Sequence, residues 1–209
     1  MQRSVSSSEP VYAVLLAAGE STRMGQLKAL LPWEGQPLLR YQIDQLLASP
    51  VERVVVVLGH RAGELRALLP ESARLQAVDN ERYQTGKVSS IHAGVAALAG
   101  PGHLLILSVD QPRPAGLLCA VVQHHLSTGA LITIAAHGER RGHPVLFSPL
   151  LFGEVLAIDE ATEGLRAVLG RHDAGVALYD TGSPLARLNL NTPEDYTRAT
   201  ALMGHAPRP

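Results

Sequence analysis

At 209 residues, 46% of them hydrophobic and with a formal net charge of −1, the chain has the size and composition of one globular domain with a substantial core. The near-zero charge and the 4% aromatic content argue against a nucleic-acid partner, which would show a basic excess or stacking platforms. The single cysteine, Cys119, excludes a disulfide framework and a Cys-based zinc site, and no apolar run approaches the roughly 18 residues of a membrane span.

Residues 1–10 are polar and Ser-rich, without the apolar centre of a signal peptide. They read as a flexible tail ahead of one domain over 11–204, with a short tail at 205–209. These features fit a cytoplasmic enzyme.

The first predicted strand is Val11–Ala17. Pro37 opens a predicted helix over 38–48 with the apolar stripe Leu38, Leu39, Ile43, Leu46 and Leu47, and Ser49-Pro50 ends it. Arg53–Leu58, which holds four successive valines, is a second buried strand. A helix over 62–69 and a short strand over 75–78 follow. Gly86-Lys87 then precedes a helix over 88–98 with Ser89 and Ser90 in its first turn. That helix start is suited to an anion, or to plain serine capping. A core strand over 103–109 leads into a helix over 114–126. A strand over 130–136, a polar turn over 138–142 and a strand over 144–147 make a hairpin. Helices over 149–156 and 163–169, a strand over 176–179 and a helix over 193–203 complete the chain. Buried strands alternating with amphipathic helices predict an α/β fold, a single-domain Rossmann-like three-layer sandwich. Its sheet is mostly parallel, and the hairpin supplies an antiparallel addition.

Chemistry concentrates first in residues 12–32. The apolar run Val14 to Ala18 stops at Gly19, and a polar loop with Ser21, Thr22 and Arg23 precedes Gly25 and Lys28. A strand ending in a glycine turn with small hydroxyls and two cations is a way to hold a triphosphate. It is neither a P-loop nor G-x-G-x-x-G. Asp110 ends a buried strand where open α/β sheets bind ligands, and is a hard-oxygen ligand suited to Mg²⁺ or else a turn former before Gln111-Pro112. Thr192-Pro193-Glu194-Asp195 is a helix start with Thr192 as N-cap. Lys87 either meets a phosphate or simply faces water, and water is the favoured reading.

The match at Leu16, Ala17, Ala18, Gly19, Arg23, Met24, Gly25, Lys28, Leu30, Leu31 and Pro32 resembles the signature of nucleotidyltransferases with a Rossmann-like GT-A fold. Among them the chain most resembles the molybdenum-cofactor cytidylyltransferase-like (MobA/MocA-like) family, whose fold is the nucleotide-diphospho-sugar transferase type. The resemblance implies Mg²⁺-dependent transfer of CMP from CTP to the phosphate of the molybdopterin cofactor, with release of pyrophosphate. It implies catalytic roles for Arg23, Lys28 and Asp110. Nucleotide binding falls to Leu16, Ala17, Ala18 and Gly19, to the same two cations, and to Asn80, Gly86, Ser89 and Ser90. Metal binding falls to Asp110 and Asn191, less so Asn189, where relatives more often carry aspartates. On the acceptor side it implies Gln111 and Pro112, His143 of Gly142-His143-Pro144-Val145-Leu146-Phe147, and Arg166. Thr162 replaces an aspartate of the family's pattern near Arg166. The implied partners are a nucleoside triphosphate, a phosphate-bearing small-molecule acceptor, and a molybdoenzyme or its chaperone; nucleic acid and membrane are not among them. Guanylyl transfer to the same cofactor, cytidylyl or uridylyl transfer to a sugar, alditol or alkyl-amine phosphate, and a catalytically silent cofactor chaperone stay open.

Overall fold

The computed structural model describes residues 9–204. In chain order these form β1 (Val11–Ala17), the short pair β2 (Pro32–Trp33) and β3 (Gln36–Pro37), α1 (Leu38–Leu47), β4 (Arg53–Leu58), α2 (Ala62–Arg66), β5 (Leu75–Asp79), α3 (Lys87–Ala96) and β6 (His103–Ser108). There follow α4 (Ala115–Thr128), β7 (Ile132–His137), β8 (Arg140–Phe147), α5 (Phe152–Leu156), α6 (Leu165–Arg171), β9 (Val176–Asp180) and α7 (Pro193–Gly204). Of the two expected tails, 1–8 and 205–209 lie outside the described residues. Pro10, expected in the first tail, accepts from the His103 N–H at 2.8 Å and so leads into the sheet.

One sheet of seven strands runs in the order β5-β4-β1-β6-β8-β7-β9. β1 pairs in parallel with β4 and β6, β4 with β5, and β7 with β9. Only β8 runs antiparallel, to both β6 and β7, as the predicted hairpin requires. β1 takes a central place because all seven of its residues are buried and apolar, which suits a strand covered on both faces. Alternate side chains divide between two cores. Ala13, Leu15 and Ala17 pack with Leu39, Ile43, Leu46 and Val121 on one face. Val14, Leu16 and Ala18 pack with Ile91, Val95, Phe147 and Val155 on the other. At Gly94, a Cβ would stand 2.4 Å from a Val14 methyl, so this glycine lets α3 settle directly on the sheet.

Several boundaries differ from expectation for local reasons. The turn of the β7–β8 hairpin is tighter than 138–142, since His137 already pairs with Arg140. Gly142 lies within β8, where a Cβ would meet the Ala186 carbonyl oxygen at 2.1 Å. Gly164, at φ +56, delays α6 to Leu165 and leaves Glu160–Thr162 as a separate 3-10 turn. β2 and β3 went unread because two residues cannot show a period. Their turn uses Glu34 and Gly35 at φ +48 and +80, the left-handed pair of a tight hairpin. No helix among the described residues is long and apolar enough to cross a membrane.

From β1 the chain builds toward β4 and β5, then returns past β1 to β6. Strand order therefore reverses at β1, and the crevice beyond the carboxyl ends of β1 and β6 is the place where such sheets take ligands.

Candidate active site

The loop after β1 is held in shape by its own backbone. Ser21 at φ +60 and Gly25 at φ +70 bracket a 3-10 turn, Thr22–Met24, which buries Met24 and leaves Arg23 exposed. Ser21 Oγ accepts from the Lys28 N–H at 3.0 Å and closes the loop on itself. Gly59, after β4, comes so near that a Cβ there would lie 2.8 Å from the Ala18 carbonyl oxygen.

Lys28 points inward and is only 8% exposed. Its Nζ lies 2.7 Å from Asp110 Oδ2 and donates to Asn191 Oδ1 at 3.0 Å. Three segments distant in sequence thus meet at one ammonium. The Leu190 N–H donates to the Asp110 carbonyl at 2.8 Å, which sets the Asn191 loop against the end of β6. Thr192 and Asp195 form the predicted helix start: Thr192 Oγ1 accepts from the Asp195 N–H at 3.2 Å. Asp195 Oδ2 in turn accepts from the N–H groups of Asn191 and Thr192 at 3.2 and 3.1 Å.

Two buried polar side chains, missed in the sequence, hold the Asp110 loop from behind. Gln42 of α1 donates to the Gln111 carbonyl at 2.7 Å and accepts from the Arg113 N–H at 3.1 Å. Arg113 is fully buried and donates to the carbonyls of His143, Pro112, Leu188 and Ala186 at 2.8–2.9 Å. Its charge is thereby satisfied by four carbonyl dipoles without a bonded acid. Burial brings its pKa down to about 9, opposed by the Asp110 charge, so it stays cationic at neutral pH. An arginine five residues past the end of β6 gave no periodic signal of such a role.

A cavity of about 660 Å³ opens over these groups. Leu16, Ala18, Gly19, Arg23 and Lys28 line its near side, and Gly86, Ser90, Asp110, Gln111, Arg166, Asn189 and Asn191 also face it, as the sequence led us to expect. Tyr83, Ser108 and Lys87 line it as well. Lys87 is exposed, and the space it is exposed to is the cavity. Five expected residues are absent from the wall. The Ala17 methyl turns to the opposite core, because strand side chains alternate. Asn80 is buried behind the wall, where its amide donates to Ser89 Oγ and Ser90 Oγ at 2.8 and 3.0 Å; it and Ser89 support Ser90 rather than line the cavity. Pro112 is buried with Arg113. His143 is half-buried, and burial, with help from Arg113 and Lys87 and against Asp110, lowers its pKa to about 4, so its ring is neutral at pH 7 and no cation for a phosphate. The start of α3 is not an open anion seat either, since the Val88 N–H already donates to Glu160 Oε2 at 2.9 Å.

The donor set fits a hard divalent cation. Asp110 and Asn191 already converge their oxygens on one cation, the Lys28 ammonium. Beside them Asn189 Oδ1 is buried without a partner. One carboxylate and neutral amide oxygens are a sparse set, of the kind completed by substrate phosphates.

The pattern of the MobA-like NTP transferase domain matches residues 13–176. The chain belongs to that family. It is a nucleotidyltransferase of the MobA-like type. Among curated relatives it is similar to the molybdenum cofactor cytidylyltransferase of Escherichia coli K12, 26% identical over 90% of this chain and 95% of that protein. It is also similar to the nicotine blue oxidoreductase of Paenarthrobacter nicotinovorans, 33% identical over 90% of this chain and 95% of that protein. In fold it is similar to Rv0371c of Mycobacterium tuberculosis H37Rv, with a TM-score of 0.79 at 23% identity over 93% of this chain and 99% of that one. A second structure of that protein is a complex with manganese, with a TM-score of 0.72 at 22% identity over 94% of this chain and 100% of that one.

Proposed function

We propose that this MobA-like enzyme transfers a cytidylyl group from CTP to the phosphate of a molybdopterin-type cofactor in the presence of Mg²⁺ and releases pyrophosphate. The observation that carries this reading is the meeting of Lys28, Asp110 and Asn191 at the strand-order reversal, in a cavity that Arg23 also enters. Near-full-length similarity to the cytidylyltransferase of Escherichia coli supports the choice of base and acceptor.

In the reaction an acceptor phosphate oxygen forms a bond to the α-phosphorus. The bond from that phosphorus to the bridging oxygen breaks, and its electron pair leaves with pyrophosphate. The attacking phosphate is already ionised at neutral pH, so no side chain has to remove a proton. This chain's task is to align the two anions and neutralise charge that grows on the leaving group. Arg23 and Lys28 are placed for that, with Lys28 turning from Asp110 to the triphosphate. Asp110 and Asn191 would hold the divalent cation, which supplies Lewis-acid neutralisation of phosphate oxygens when bound.

Melting curves with Mg²⁺ and each of four triphosphates test the choice of base. A ligand that binds only the folded state raises the melting temperature by mass action. CTP should give the largest shift at matched concentration. A larger shift with GTP or UTP would move the enzyme to guanylyl transfer, or to uridylyl transfer to a sugar phosphate.

A further inference from the structure

Four cations, Arg23, Lys28, Lys87 and Arg166, line the cavity against one carboxylate, Asp110. Lys28 is paired with that carboxylate. Among the described residues, the side chains of the other three make no ion pair and no hydrogen bond. Three cations without an ion pair, with only the Asp110 and Glu160 carboxylates acting on Lys87 at longer range, leave an excess of positive charge in one concave site that suits more than one anionic group.

Lys87 and Arg166 form a pair by construction. Lys87 is the first residue of α3, and Arg166 is the second of α6. The two helix starts are fastened together. Glu160 accepts from the Val88 N–H at 2.9 Å, and a Cβ on Gly164 would lie 2.9 Å from a Val88 methyl. Two cationic side chains therefore rise from adjoining points of one wall, while Arg23 stands on the loop after β1.

We propose that Lys87 and Arg166 together form a clamp for the attacking phosphate monoester, and that Lys87 is the acceptor-positioning residue particular to this chain. The proposal rests on the transferase reading above and assigns to its acceptor a seat apart from the triphosphate's. The charge environment agrees with it. Burial lowers the Lys87 pKa, Asp110 opposes that shift, Arg166 reinforces it, and Glu160 opposes it in a smaller measure. Lys87 in turn is one of the charges that lower the pKa of His143. Lys87 is exposed on the concave wall of the cavity. A dianionic phosphate arriving there would relieve the repulsion between Lys87 and Arg166.

The test is calorimetric and uses inorganic phosphate as the probe. Phosphate is titrated into full-length protein, first saturated with Mg²⁺ and a non-hydrolysable CTP analogue, then without nucleotide. Lys87→Gln should weaken phosphate binding to the analogue-saturated protein on the order of tenfold or more, the size of one lost charge-assisted contact. Lys87→Arg should restore it, and the analogue's own affinity should stay within about twofold of the parent in both variants. Equal phosphate binding by the parent and Lys87→Gln would overturn the proposal. A tenfold loss of analogue affinity in Lys87→Gln would also overturn it, by giving Lys87 to the triphosphate. If no triphosphate binds at all, the transferase reading fails, while the clamp still predicts a parent-to-Lys87→Gln difference in the nucleotide-free titration.

Discussion

Lys28 stands between Asp110 Oδ2 and Asn191 Oδ1. If these two oxygens hold the divalent cation as proposed, ammonium and metal exclude each other until a triphosphate draws the lysine away. In Lys28→Met, turnover should fall at least about tenfold, as expected for one preorganised charge contact. The nucleotide-free variant should bind Mn²⁺ more tightly than the parent. Calorimetry checks this, and unchanged or weaker metal binding would refute the competition. Arg23→Ala should slow turnover by a similar factor with an unchanged melting temperature, because the side chain is exposed. Arg113 is the opposite case. Arg113→Met leaves four carbonyls, two of them buried, without this donor, and a buried acceptor left unpaired costs about 1–3 kcal/mol, so the melting temperature should drop markedly. A variant as stable as the parent would show that water replaces the guanidinium freely. Arg23, Lys28 and Asp110 could be named from the sequence because each lies in a motif with fixed spacing. Arg113 and Gln42 could not, since their partners are backbone carbonyls brought together only by folding.

At the level of elements, periodicity served well wherever a segment was long. β1, β4 and β6 were legible as apolar runs, and α1 and α4 as amphipathic stretches, because a strand or helix of that length repeats its pattern several times. The misjudged pieces were short or governed by a neighbour. α6 starts late because of Gly164, and the start of α3 is occupied by a carboxylate from a loop some seventy residues on. Gly86 marks that junction. It sits at φ +125, and a Cβ would stand 2.4 Å from the Glu160 carboxyl carbon. Gly86→Ala should therefore lower the melting temperature, and Glu160→Ala in the same background should recover only part of the loss, since the backbone strain persists. Full recovery would mean that the collision with Glu160 is the whole effect. The seat formed by Lys87 and Arg166 depends on this same junction, which no local pattern in either helix announces.

Across the whole molecule, the sheet carries its chemistry at the carboxyl ends of its strands and a buried polar network near the opposite end. There His103 Nδ1 lies 3.0 Å from His125 Nε2, and His125 Nδ1 lies 2.8 Å from Thr133 Oγ1. Burial, then the neighbouring His103 and His124, lowers the His125 pKa to about 4, and burial lowers that of His103 as well. In the unfolded chain a histidine titrates near about 6.5. Acid therefore protonates the unfolded state first, so this stability is intact above about pH 6.5 and is lost as pH falls toward about 4. Melting temperatures should decline over that window, and His125→Leu should be less stable at pH 7 but show a shallower decline; an equally steep one would remove His125 as the cause. The α/β class, parallel core and hairpin were readable because strand and helix alternation fixes architecture, whereas the facing of Lys87 and the neutrality of His143 depend on tertiary burial. The central claim, nucleotidyl transfer at the Lys28–Asp110–Asn191 centre, is tested most directly by pyrophosphate release. The protein is incubated with Mg²⁺, each of the four triphosphates and a panel of phosphate monoesters that includes molybdopterin, beside an Asp110→Asn variant. The account predicts acceptor-dependent pyrophosphate from the parent, greatest with CTP and molybdopterin, and none from Asp110→Asn. No pyrophosphate from any pair, or equal release by the variant, would contradict it.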